Sequence, residues 1–140
     1  LITRLNKQTT DEAYLRSLRG RRLTFDQWEP DSFELTKAYK KQEAEQKYGR
    51  TRLKRAYTYK SLNKLIQASA ADMTKQAMVN VYKEGIVPLV QVHDELCCSV
   101  VGKEEAMKIK KIMEEAIPLE IPSRCDLEMG PSWGQAVDIT

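Results

Sequence analysis

The run KSLNKLIQASAADMTKQAMVNVYKE, from Lys60 to about Glu84, sets the strongest limit on what this chain can fold into. Leu62, Leu65, Ile66, Met73, Ala77 and Val81 recur at steps of three and four, the period of an amphipathic helix. Gly85 is placed to end it. IVPLVQVHDELCCSVV follows as strand, tight turn, strand. On the helix's other face Asn63, Gln67 and Ala71 follow at i, i+4 and i+8, two amides and a small residue on one stripe. Such a stripe suits ordinary solvent-facing polarity. The sharper reading is amides in a DNA minor groove, where every base pair offers acceptors and contact is largely independent of sequence.

The remaining segments complete an α+β plan, an antiparallel sheet with helices on one side. EAYLRSLRGRRLTF (12–25) reads as two strands meeting at a turn that contains Gly20. Arg16, Arg19, Arg21 and Arg22 crowd this hairpin, either as a solvated basic edge or as phosphate contacts. Pro30 and Asp31-Ser32 predict the start of a polar helix that Gly49 ends; Phe33, Leu35, Ala38 and Tyr39 give it a short apolar face. Arg50, Arg52, Lys54, Arg55, Lys60 and Lys64, with Tyr57 and Tyr59, then suit either a nucleic-acid backbone or a solvated face. KEEAMKIKKIMEEAIP predicts a surface helix with Ala106, Ile109, Met113 and Ala116 on one face and Pro118 as its stop. LEIPSRCDLE (119–128) predicts a strand interrupted at Pro122, and Trp133 is expected to anchor packing.

A chain of 140 residues, 41% hydrophobic, can build one modest core, so one domain or a piece of one is expected. Beginning at Leu1 rather than Met suggests trimming, processing or a fragment. Cys97, Cys98 and Cys125 form no CxxC pair and there is one histidine, which argues against a disulfide scaffold or a zinc site and suits a reducing cytoplasm. No apolar stretch approaches the roughly 20 residues of a membrane span. The net charge of +3 says little by itself about partners.

VQVHDELCCSV sets His93, Asp94 and Glu95 side by side in a run otherwise suited to a buried strand. In a regular strand, neighbours point to opposite faces and could not share one ion. At a turn the alternation breaks, and both carboxylates can lie at one end of the sheet as hard oxygen ligands for Mg²⁺. A charged hairpin tip in water accounts for the acidic pair as well, but less well for His93 and the apolar flanks.

Gln91 to Leu96, QVHDEL, resembles the C-motif hairpin of family A DNA polymerases, the DNA polymerase I type. KSLNKLIQASAADMTKQAM resembles the helix before that hairpin, YLRSLRGRRLTF the strand pair ending in Gly-Arg-Arg, and MGPSWGQA the Gly-x-x-Trp tail. These four segments stand in the family's order, and LNKLIQ and MGPSW lean toward bacteriophage members. The resemblance implies an antiparallel palm sheet with a catalytic hairpin. Asp94 would be one of two aspartates holding two catalytic Mg²⁺ ions, with Glu95 the neighbouring carboxylate that tunes the metal site. His93 would touch the primer terminus, and Asn63 and Gln67 the minor groove. Tyr59, Lys60, Arg21 and Arg22 are the further DNA-binding candidates. Primer-template DNA and a deoxynucleoside triphosphate are the implied partners, in the cytoplasm, that of a bacterial host if the chain is phage-encoded.

The chain also departs from the family's pattern. Tyr59 stands where members commonly carry an Arg, with Arg55 and Lys60 as the nearby cations. Residues 26–54 exceed the corresponding link, as a helical insertion would. The family's other catalytic aspartate and its fingers helix have no counterpart, and Tyr48-Gly49 in QKYGRT lacks the fingers spacing. The expectation is therefore a C-terminal palm portion, residues 1–140, completed by a second polypeptide that carries the first aspartate and the fingers. A noncatalytic DNA-binding or assembly module with a palm-like fold is the alternative.

Overall fold

The amphipathic run forms helix α3, Ser61–Lys83, ended as the sequence predicts at Gly85, whose φ is 82°. The Ile86 amide donates to the Val81 carbonyl and the Gly85 amide to Tyr82, the pair of bonds of a Schellman cap. Val81 and Ile86, the residues whose side chains close such a cap, are both buried in one cluster. The computed structural model describes residues 1–32, 36–49 and 52–139, in two compact units, Leu1–Ser69 and Ala70–Thr140. The boundary between them falls within α3.

In the first unit, helix α1, Ile2–Glu12, buries Leu5 and Thr9 and ends at Ala13 in the left-handed region. Strands β1, Tyr14–Arg16, and β2, Arg22–Thr24, pair antiparallel in register Leu15↔Leu23, as the hairpin reading expects. Alternation turns Leu15 and Leu23 inward, where they meet Leu5 and Phe25, with Leu62, Leu65 and Ala68 of α3 packed against them. Each such side chain contributes about 1.5–3 kcal/mol on burial. Ser61, fully buried, donates its hydroxyl to Asn6 Oδ1 at 2.6 Å and so ties the start of α3 to α1.

The polar helix expected from Pro30 onward is corrected. Gln27–Pro30 is strand β3, central between β4, Tyr39–Lys40, and β5, Leu53–Arg55, all antiparallel. Helix α2 covers only Lys41–Tyr48, ending as predicted at Gly49. Pairing overrides the local start signal: Asp31, read as a helix start, faces Arg52 and Lys54 at 3.5 Å each. Phe33, Leu35 and Arg50 lie outside the described residues.

In the second unit β6, Pro88–Val92, pairs antiparallel with β7, Glu95–Cys98. Val81, Ile86 and Ile109 form the core, with Leu96, Cys98, Val100, Ile112 and Met113 against it. Helix α4, Lys103–Glu114, supplies Ala106 and Ile109 to the buried face. Lys108 of α4 bonds Glu84 at 2.7 Å, which holds the Glu84 carboxyl below its ordinary 4.5. A depressed carboxyl stabilises the fold above its unfolded pKa and loses that contribution as pH falls through the folded value. Thermal melts should therefore show Glu84→Gln slightly below wild type at pH 7, with the gap closing as the pH falls below the ordinary carboxyl range.

Two expectations fail at the C-terminal end. Residues 119–127 form no strand; only β8, Glu128–Met129, pairs with β9, Val137–Asp138. Pro118 and Pro122 offer no amide to a ladder, and Cys125 is instead held by α4, its amide donating to Glu114 and its carbonyl accepting from Lys110. Trp133 is 64% exposed, so it is not the buried anchor expected. The tail's requirement falls on Gly130, where a Cβ would lie 2.3 Å from the Gln135 carbonyl oxygen and 2.8 Å from Ala136 Cα. The whole is a mixed α and β fold with antiparallel pairing, as expected, though the described strands form four small sheets. No described helix is long and apolar enough to cross a membrane.

Candidate active site

Register fixes the geometry of the charged hairpin. Val92 pairs with Glu95, so His93 and Asp94 alone make the turn. His93 adopts φ 52°, a left-handed conformation uncommon outside glycine but tolerated by His, and of the sign that two-residue hairpin turns require at their first position. The Gln91 side-chain amide donates to the His93 carbonyl and braces the turn. Leu96 and Cys98 pack on the core, so the alternation sends Glu95 and Cys97 to the opposite face. His93, Asp94 and Glu95 are thus brought together, exposed, at the end of a short rigid ladder. Among the described residues neither carboxylate has an ion pair or hydrogen bond.

The Cys125 thiol is pushed up, first by burial and then by Glu114, with a smaller push from Asp94 that places Asp94 within electrostatic reach of it. Burial likewise raises Cys98. Both thiols are poor nucleophiles and poor metal ligands in that state. No group of three or more His, Cys, Asp or Glu that could hold a metal ion occurs among the described residues. The chemistry of the donor set is that of a pair, Asp94 on the turn and Glu95 at the first position of β7, a number suited to Mg²⁺, which commonly takes one or two protein carboxylates and completes its shell with water and phosphate.

In the first unit, residues 61–69 of α3 are fastened from several sides. Ser61 is held by Asn6, Lys64 donates to the Thr24 carbonyl at 2.7 Å, Arg21 donates to the Ala68 carbonyl at 2.8 Å, and the Leu18 amide donates to Ser69 at 3.3 Å. Asn63 and Gln67 stay exposed on the remaining face, with no hydrogen bond to a described residue. Their amides are therefore presented to whatever lies outside on a segment that cannot turn.

The basic candidates separate by what they touch. Arg21 braces α3 one residue past Gln67. Arg22 lies 4.1 Å and Arg16 5.5 Å from the Tyr14 ring centroid, so that ring orders both guanidinia at the hairpin surface. Arg55 is committed to the fold: it donates to the carbonyls of Thr10 and Phe25, both at 3.1 Å, and stacks 4.5 Å over Trp28. Lys60 is exposed, 5.0 Å from the Tyr57 ring and 5.6 Å from that of Tyr59, which is itself 69% exposed. Of the two cations near Tyr59, Lys60 is the one turned outward. The bracing role of Arg55 was invisible in sequence, since its partners lie 45 and 30 positions away.

A family model described as DNA polymerase family A matches residues 1–135. The chain belongs to DNA polymerase family A. A DNA-directed DNA polymerase of Pseudomonas phage M6 is 47% identical over 81 residues, covering 58% of this chain and 12% of the relative. DNA polymerase I of Bacillus subtilis is 40% identical over 86 residues, covering 54% of this chain and 10% of the relative. The chain thus spans about a tenth of the length of these curated relatives. Among solved structures, the POL domain of Pol1 from M. smegmatis, in complex with DNA primer-template and dNTP, superposes with a TM-score of 0.68 at 29% identity, covering 96% of this chain and 22% of that one. The fold matches the palm-domain architecture of the family.

Proposed function

We propose that this chain is the C-terminal palm portion of a template-directed DNA polymerase, with residues 26–54 inserted into it, and that it supplies one catalytic aspartate to a site completed by another polypeptide. The observation that carries this reading is the pair of exposed carboxylates, Asp94 on a braced turn and Glu95 beside it at the start of β7, in a family A fold. Asp94 would hold Mg²⁺ jointly with the first aspartate, and Glu95 would tune the charge beside it. The bound ions supply the positive charge that favours attack of the primer 3′-hydroxyl on the nucleotide. His93, at the apex of the turn, would position the primer terminus. Asn63 and Gln67 would accept or donate in the minor groove near the primer end, sensing base-pair shape. Lys60 beside Tyr59, and Arg22 on the hairpin, would meet backbone phosphates, while Arg21 braces the helix that carries the amides.

Surface chemistry favours completion by further polymerase segments. In the second unit Val79, Tyr82, Val87, Leu89 and Val90 are all exposed, and β6 pairs only with β7 among the described residues. Several large apolar side chains left exposed beside an open strand edge are what an interface would cover. Activity is then a property of the assembled polymerase, with primer-template DNA and a deoxynucleoside triphosphate as its substrates, in the host cytoplasm if the chain is phage-encoded.

Single substitutions Asn63→Ala and Gln67→Ala test the minor-groove role in primer extension by the assembled enzyme. Each should lower efficiency by a few-fold to about tenfold, the worth of a lost hydrogen bond at about 0.5–1.5 kcal/mol. The loss should be alike for primers ending in any base. A loss confined to one terminal base pair, or none, would count against this placement.

A further inference from the structure

Residues 27–55 carry eight Lys and Arg against five Asp and Glu, so the whole net charge of +3 resides there and the rest of the chain balances. The same segment places cations on aromatic rings: Lys41 and Arg55 lie 5.4 and 4.5 Å from the Trp28 centroid, and Lys37 and Lys47 lie 5.5 and 5.1 Å from that of Tyr39. The two cations on Trp28 differ in kind. Arg55 is locked by the Thr10 and Phe25 carbonyls. Lys41 is exposed at the first turn of α2, without a carboxylate partner among the described residues.

Beside Lys41 opens a cleft of about 810 Å³. Trp28 and Leu53 form its apolar wall, and Gln42, Glu45 and Gln46 of α2 its polar wall. Lys41 lines it and Arg55 does not, so the ring of Trp28 is accessible from the lysine's side. We propose that this cleft binds single-stranded DNA, one base stacking on Trp28 where Lys41 now lies and Lys41 turning to the adjacent phosphate. Stacking on an aromatic ring within a basic surface is a sequence-tolerant way to hold an unpaired strand. The amides of Gln42 and Gln46 both donate and accept, and Glu45 accepts, so any base edge can be met. Duplex DNA has no base to offer the ring, and an acidic peptide would satisfy the cations but leave the ring and Leu53 unused. None of the residues assigned to catalysis or to the minor groove lines this cleft, so the site goes beyond the catalytic reading and does not depend on it.

The test is a fluorescence titration of the whole chain carrying Trp133→Phe, which leaves Trp28 as the sole tryptophan reporter. A single-stranded oligothymidylate should quench Trp28 emission to saturation, while an end-capped duplex and poly-glutamate should not. Lys41→Glu, an exposed change that spares the fold, should weaken binding and reduce the salt slope by about 0.7, the share of one phosphate contact on a single strand. Trp28→Leu, read by anisotropy of a labelled oligomer, should weaken binding roughly 5- to 150-fold, the range for one lost base–aromatic stack. Asp94→Asn should leave the titration unchanged, so failure of the catalytic reading and failure of this one are told apart. Absence of quenching, an equal response to duplex or poly-glutamate, or unchanged binding by Lys41→Glu would overturn it.

Discussion

Replacing Asp94 by Ala should abolish primer extension by the assembled polymerase while leaving its affinity for primer-template DNA largely intact. The side chain stands on a two-residue turn, exposed and without an ion pair or hydrogen bond among the described residues, so its removal costs the fold little. Its loss would remove one of the oxygen ligands that hold charge against the reacting phosphate. Such electrostatic stabilisation is worth several kcal/mol, and the expected fall is roughly 10³-fold or more. Single-turnover extension with saturating DNA, beside a filter-binding isotherm, separates the two effects. A noncatalytic module predicts the reverse, with Asp94→Ala silent in both assays.

The largest effect on stability is expected from Leu15→Ala. Leu15 is 2% exposed, cross-strand from Leu23 and packed with Leu5 and Phe25. Truncation leaves a cavity against the same cluster that seats Leu62, Leu65 and Ala68, the inner face of the helix bearing Asn63 and Gln67. Loss of about 2–5 kcal/mol is expected in urea denaturation. Because the amide stripe is held in place from beneath, this core change should also impair extension, although Leu15 faces away from solvent. A variant that melts as wild type would show the cluster to be loosely packed.

The parts of the fold that follow one period along the chain were legible. Leu62, Leu65, Ala77 and Val81 repeat as a helix must, and Gly85 and Gly20 supply the positive φ that their turns use. The hairpin around His93 and Asp94 was legible for the same reason, two apolar runs flanking a polar turn. What could not be read depends on pairing between distant residues. Trp28 and Arg55 meet across β3 and β5, 27 positions apart, and that ladder displaces the helix which Pro30, Asp31 and Ser32 signal locally. Helix α1 is held by Leu5 in the core and by Asn6 on Ser61, partners 55 positions away in the latter case. Trp133 misled because a large aromatic residue is usually buried, whereas here the close approach at Gly130 is what the tail needs.

For the candidate site, the identity of the residues was in the sequence and their freedom was not. Arg21, Arg22, Arg55 and Lys60 look alike in composition. Only their contacts show that Arg21 and Arg55 brace the fold, whereas Lys60 is presented outward. The acceptors they use are backbone carbonyls, which carry no sequence signature.

Primer extension by the purified chain, alone and then with a polypeptide carrying the missing aspartate and fingers, tests the central claim most directly. The account predicts no extension alone, extension on mixing, and its loss when the added chain meets Asp94→Ala. Full extension by this chain alone, as a soluble monomer, would contradict it.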